Sequence, residues 1–411
     1  MRSLHTDLPD YAFYPTARQF GSHFGIEHLQ RCIRQSNAEP VPRDLAIGVL
    51  GPRKDDIAQT TLYTEHLAAE AALVGALFDV DREVTEIAVD ASATRTLAED
   101  GMRAVLDRLR GAFHFADEVD LQFAVESRNV ARSEIDTMVE LGATRMRIAL
   151  HECDGRGAAA PKLPMLEGAW RTIGHCAKHQ RTGLNLDLFL GCAGQTHASF
   201  ATTLELAIAN QPFRITLPSC SYSAAQPLAE TWRELAIERL VAAGYVYLGL
   251  GQLVAAEDPL AQARLAKKLR RTLLGYTARA ECDVVGLGAG AISRIGDSLS
   301  QNFDLERWRE AVTAGHLAVA RGRLLDYDDI VRGTVIDELM CHGEIAIGAL
   351  ERRFALDFPT YFADALAQIA PLEDAGIVAH DAACISATSR GRGQLRMIAA
   401  CFDRYHDTNS R

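Results

Sequence analysis

A chain of 411 residues, 48% hydrophobic and 24% charged, carries enough apolar surface for a large core, and its length suits two or three domains or one barrel with an appendage. The formal charge of −11 argues against non-specific nucleic-acid binding through phosphate neutralisation. No apolar stretch approaches the ~18–20 residues that span a bilayer, and MRSLHTDLPDYAFYP lacks a secretory apolar segment, so a cytoplasmic protein is expected.

Residues 1–43 read as a Pro-punctuated extension with a short amphipathic helix near 26–35. Strand-like segments follow in order: LAIGVL (45–50), TEIAVD (85–90), VDLQFAV (119–125), RMRIAL (145–150), LNLDLFL (184–190) and FRITLP (213–218). Stretches with helical period, such as TLYTEHLAAEAALVGALF and RSEIDTMVELGA, lie between most of them. This alternation predicts an α/β unit over 44–225 with a parallel sheet, curled as a barrel or open and doubly wound. Several of the strands are mostly apolar, as in a sheet covered on both faces. A second unit, 226–303, reads as helices (LAETWRELAIERLVAAG, LAQARLAKKLRRTLLG) followed by a Gly-rich turn. The last unit, 304–411, reads as helical, interrupted by a two-strand hairpin in DAGIVAHDAACISATSRGR and closed by the helix in GRGQLRMIAACFDRYH. That order suits a winged-helix-like cap.

The nine cysteines are scattered, none within four residues of another, and read as buried thiols without a local CxxC metal motif. In GYTARAECDVVGLGAGAISRIGDSLSQN (275–302), Gly286-x-Gly288-x-x-Ala291 is a variant of the dinucleotide fingerprint. Such a loop needs a buried strand before it and an acidic residue ending a second strand about 20 positions on. Only Val284-Val285 precede the glycines, beside the charged Asp283, and Asp304 opens the helical run LERWREAV. A Gly-rich turn where the backbone passes close to another group is the preferred reading.

Several ordered segments carry a resemblance. Tyr14-Pro15-Thr16-Ala17 matches YPTA, and LNLDLFLG with QTHASFATTLELA (184–207) matches IDLIYGLP…QTxExF. Gly275-Tyr276-Thr277, Asp283, GLGAGAISRIGD, VIDELMC (335–341) and TSRGRGQLRMIAACFDRY (388–405) follow in register. Together they resemble the oxygen-independent coproporphyrinogen III oxidases, the haem-pathway branch of the radical S-adenosylmethionine (SAM) enzymes. The resemblance implies a radical-SAM-like partial (β/α)6 barrel with a mainly helical, winged-helix-like C-terminal domain. It also implies coproporphyrinogen dehydrogenase activity with a [4Fe–4S] cluster and SAM.

The catalytic half of the resemblance departs from the family. There, YVHIPFC opens a CxxxCxxC loop whose thiolates hold the cluster. Here DLAIGVLGPRKDDIAQTT aligns without a gap, placing Lys54, Ala58 and Thr61 at the cysteine positions, and Gly48 and Leu50 at the tyrosine and histidine. The GGGTP loop becomes Asp90-Ala91-Ser92; IEVDP reads LQFAV, with Gln122 at the acid; SMGVQDF reads RIALHEC, with His151 at the glutamine. Asp187 remains at an acidic SAM-contact position. Asp187, His151, Gln122, Gly286 and Gly288 are therefore the cofactor-binding candidates, with no metal expected at 54, 58 and 61.

Other candidates are weaker. His175 and His179 share i, i+4 spacing on a polar helix and read as a solvated pair before a metal site. Cys192 and Cys220 read as inert thiols, and Cys341-His342 as a helix-end core thiol before a haem ligand. His197 reads as exposed, and Arg390 and Arg392 suit either porphyrin carboxylates or the last turn of the cap. The expectation is a cluster-less relative with a tetrapyrrole (porphyrin or haem) ligand or a regulatory role. The alternatives are different chemistry at the strand ends through Asp187, His151 and Glu152, a structural partner of a cluster-bearing paralogue, or the active oxidase that the family implies.

Overall fold

The computed structural model describes residues 9, 11–52, 60–126, 130–150, 163–178, 182–192, 194–219, 226–279 and 282–406. Helix α1 (Ile26–Asn37) lays Leu29, Cys32 and Ile33 into the core, as its amphipathic pattern requires. Strands and helices then alternate: β1 (Asp44–Val49), α2 (Thr60–Gly75), β2 (Glu83–Val89), α3 (Ala91–Ala112), β3 (His114–Glu126), α4 (Arg132–Glu140), β4 (Arg145–Leu150), α5 (Leu163–Cys176), β5 (Gly183–Leu188), α6 (His197–Ala209), β6 (Arg214–Thr216) and α7 (Gln226–Ala242). All six expected strands form, and β1 to β6 pair in parallel in chain order. The physical reason is visible in β4. Met146, Ile148 and Leu150 bury against the helix residues Ile135, Met138 and Ile173. Arg145, Arg147 and Ala149 therefore take the opposite face.

The remaining sheet strands are β7 (Val246–Gly249) and β8 (Gln252–Val254), then β11 (Cys282–Leu287), β12 (Ile292–Ile295), β13 (Ser298–Asn302) and β14 (Val319–Leu324). Between them lie α8 (Pro259–Leu265), the hairpin β9 (Arg270–Thr272) and β10 (Gly275–Thr277), and α9 (Leu305–Thr313). The twelve-stranded sheet runs β14-β13-β12-β11-β1-β2-β3-β4-β5-β6-β8-β7, so it extends to Leu324, past the unit boundary expected at 303.

Two expectations need correction. LAQARLAKKLRRTLLG is helical only to Leu265; Leu269 packs back on Leu260 and Tyr276, and that burial overrides helical propensity in favour of the hairpin. Val284-Val285 belong to a full buried strand, β11, parallel to β1 from Asp44↔Cys282 to Val49↔Leu287. The charged Asp283 hid it, because its neutralising partner, Arg82, lies far away in sequence. After the glycines the chain enters the antiparallel strand β12 instead of a helix, so no helix N-terminus faces a pyrophosphate there.

The C-terminal part holds α10 (Tyr327–His342), β15 (Glu344–Ala346), α11 (Ile347–Phe354), α12 (Phe358–Tyr361), α13 (Ala363–Asp374), β16 (Val378–His380), β17 (Cys384–Ala387) and α14 (Leu395–Ala400). The expected hairpin is β16–β17. Strand β15 joins it because Gly343, at φ 73°, ends α10 in the left-handed region and splits the long helical run. Val335, Leu339, Phe358, Phe362 and Phe402 form its core together with Tyr11 and Tyr14 from the far end of the chain. Tyr11 donates its hydroxyl to Asp403 Oδ2 at 3.1 Å, and the Arg404 N–H donates to Tyr14 Oη at 3.3 Å. Among the described residues no helix is long and apolar enough to cross a membrane.

Candidate functional site

Strand alternation gathers polar side chains on the sheet face away from the core helices. Arg145 donates through Nε to Asp120 at 2.9 Å and reaches Glu86 at 3.6 Å. Burial pushes the Glu86 carboxyl up, Arg145 draws it back, and Asp120 raises it again. Arg147 donates Nε–H to Asp187 Oδ2 at 2.7 Å. Arg214 grips Asp258 with two bonds, at 2.7 and 3.1 Å. Asn185 donates to Gln122 Oε1 at 3.4 Å. Two buried acceptors on this face, Asp187 Oδ1 and Asn185 Oδ1, have no hydrogen-bond partner among the described residues.

Asp187 and Gln122 thus sit on one face, two strands apart. His151, Glu152, Lys54 and Ala58 lie outside the described residues, as does the side chain of Thr61 at the start of α2. Sequence reasoning missed Arg147 and Asn185. Their signal was a basic residue in the middle of RMRIAL, one strand from the only aspartate of LNLDLFL.

At the end of β2 the chain closes on itself. Asp90 caps α3, accepting the Ala93 N–H at 2.7 Å, and Ser92 Oγ donates to its carboxylate at 2.8 Å. The Gly51 N–H, just past β1, is shared between Asp90 Oδ1 and Ser92 Oγ, each at 3.1 Å. A Cβ on Gly51 would lie 2.3 Å from the Ala93 nitrogen, so these two turns are in direct backbone contact.

The Gly-rich turn packs against the same end of β1. A Cβ on Gly288 would fall 2.4 Å from the Leu50 carbonyl oxygen, and one on Gly286 2.4 Å from that of Ile292. Both glycines are needed for close approach of the chain to itself. The Gly288 N–H donates to Glu70 Oε2 at 2.7 Å, and Asn302 Nδ2 donates to Glu70 Oε1 at 2.7 Å. Tyr63 donates its hydroxyl to the Leu50 carbonyl at 2.7 Å and accepts from the Ala289 N–H at 3.3 Å. Burial raises the Glu70 carboxyl to about 7, against the pull of those two donors.

His175 pairs with Asp136 at 2.8 Å, while His179 and Cys220 lie outside the described residues. Cys192 and Cys341 are buried, and burial pushes the Cys341 thiol up. His197 is exposed, near the Trp232 ring. Arg390 donates to the Ala375 carbonyl at 3.1 Å, fastening the β16 approach.

Residues 325–392 match the family model described as the HemN C-terminal domain. The oxygen-independent coproporphyrinogen III oxidase of Pseudomonas aeruginosa is 30% identical over 97% of this chain and 93% of its own length. The enzyme of that name from Escherichia coli is 27% identical, again over 97% and 93%. The solved structure of coproporphyrinogen III oxidase from Escherichia coli, titled a radical SAM enzyme, superposes with a TM-score of 0.84 at 25% identity, over 96% of this chain and 97% of that one. With its barrel, its winged C-terminal part and its full-length likeness to these proteins, the chain belongs to the oxygen-independent coproporphyrinogen III oxidase family of the radical SAM superfamily.

Proposed function

We propose that this chain is a cluster-less member of its family that binds a tetrapyrrole, in the cytoplasm, and runs no radical SAM chemistry with a cluster of its own. The observation that carries the reading is the donor set at the family's cluster positions. An ammonium at Lys54, a methyl at Ala58 and a hydroxyl at Thr61 offer no thiolate to iron. Two features of the fold support it. Where the family's glycine loop offers bare backbone to SAM, the Asp90 and Ser92 side chains are engaged with Gly51. The Asp187 carboxylate, the remaining acidic SAM-contact position, holds a guanidinium. The residues present do not fit the cluster, and no reaction step is assigned to it. Retention of the barrel and of the C-terminal part supports a ligand of the substrate class named for the relatives.

The test is anaerobic reconstitution with iron and sulfide, metal and sulfide analysis, and then titration with coproporphyrin III and with haem. Sub-stoichiometric iron together with tetrapyrrole binding near micromolar supports the proposal. A stoichiometric cluster overturns its first half, and absence of tetrapyrrole binding overturns the second. Retention of this chain by a cluster-bearing paralogue would assign it instead as that enzyme's structural partner.

A further inference from the structure

We propose that Arg147 makes the inner face of this barrel a carboxylate-binding site, taking an acid arm of the tetrapyrrole. The inference rests on the ligand class proposed above. Arg147 stands opposite Asn185 in the β4–β5 register, whereas its guanidinium reaches Asp187, which is opposite Ala149. The side chain therefore leans along β4 toward the carboxyl ends of the strands, where parallel α/β folds place their ligands.

Its bonding leaves a specific edge open. Asp187 holds Nε at 2.7 Å, and no described residue takes either Nη group. The Arg147 side chain is 44% exposed while that of Asp187 is 8% exposed, so a buried carboxylate fixes a solvent-facing guanidinium. The neighbouring guanidinia are committed differently. Arg145 uses Nε and Nη2 on Asp120, and Arg214 uses the same pair of atoms on Asp258. Two parallel Nη–H groups match the two oxygens of a carboxylate, and holding the group in advance lowers the entropy lost on binding. A cationic sulfonium ligand arriving here would meet a guanidinium in place of a free carboxylate. Charge selection at this position is reversed, from cation toward anion.

Coproporphyrin III and its tetramethyl ester separate this idea from general apolar binding. The wild-type protein should prefer the acid. R147A should bind the acid about tenfold to a hundredfold more weakly, the range of one charge-assisted hydrogen-bonded contact, and bind the ester unchanged. R147K keeps a cation against Asp187 and guards against misfolding as the cause; without the planar fork it too should lose most of the acid preference. If R147A and R147K both keep the wild-type ratio of acid to ester affinity, the inference is wrong. If the wild-type protein binds neither compound, the tetrapyrrole reading itself fails.

Discussion

Removing Arg82 should cost the barrel a large share of its stability. Arg82 and Asp283 are each 1% exposed. Arg82 donates from Nη2 to Asp283 at 2.6 Å, from Nη1 to Ser36 and Asn37 at 3.1 and 3.0 Å, and from Nε to the Arg43 carbonyl at 2.7 Å. Asp283 also accepts the Gly296 N–H at 2.8 Å and the Ser36 hydroxyl. In R82M the carboxylate keeps two neutral donors but loses its counter-charge, and the Asn37 and Arg43 oxygens lose their Arg82 donors. Breaking a buried pair from one side costs about 3–5 kcal/mol, against a whole-domain stability of roughly 5–15 kcal/mol. D283N, which strands the guanidinium instead, should cost a similar amount. The double variant should cost much less than the sum, since neither charge is then left alone. Urea denaturation followed by tryptophan fluorescence reads the barrel selectively, because Trp170, Trp232 and Trp308 all lie in or against its core. Losses below about 1 kcal/mol for both single variants, or strict additivity in the double, would refute the argument.

Two further predictions concern the Gly-rich turn. G288A puts a methyl 2.4 Å from the Leu50 oxygen at φ 106°, whereas G290A, at φ 72°, meets nothing within 4 Å. G288A should therefore cost about 3 kcal/mol or more and G290A only about 1 kcal/mol, and equal urea midpoints would count against backbone approach as the role of Gly288. Glu70 sets a pH dependence. Its carboxyl titrates near 7 in the folded chain against an ordinary 4.5, so the folded state holds the extra proton between those values. Its contribution is fully present below pH 4.5 and is lost as pH rises through 7, a change of about 3 kcal/mol. E70Q should flatten that slope in the fluorescence-detected stability, and an unchanged slope would locate the dependence elsewhere.

The six parallel strands were legible because each is a short, largely apolar run set between stretches of helical period. Strand β11 was not, because its apolar run carries a charge whose cost is cancelled by Arg82, about two hundred positions earlier. The insertion of Tyr11 and Tyr14 into the C-terminal core was illegible for the same reason, since nothing local reports a contact between the two ends of a chain. The hairpin of β9 and β10 is masked in the sequence by helical periodicity, because its support comes from distant contacts such as the Tyr276 hydroxyl donating to the Met340 carbonyl at 2.8 Å. At the candidate site, Asp187 was legible as an acid in an apolar strand. Its partner was not, because register between strands decides which basic residue can reach it.

The pattern of retained and altered motifs follows from where each residue finds its partner. Tyr276 bonds to VIDELMC, Asp283 to Arg82, Gly288 to Glu70, and Tyr14 to the Arg404 backbone, so each is held by the chain itself. Losing any of them destabilises the fold whatever the protein does. By the sequence resemblance, residues 54, 58, 61, 90–92, 122 and 151 stand where the family's partners are the cluster and SAM. On the proposed reading, a chain without those groups has no folding penalty for changing them. It gains stability where a replacement finds a partner within the protein, as Asp90 and Ser92 do at Gly51. Arg147 extends the same logic to Asp187, whose carboxylate would otherwise be buried without a counter-charge. On the proposed reading the barrel is self-sufficient at that rim, and Arg147, whose Nη edge no described residue takes, is where a new ligand is expected to engage it.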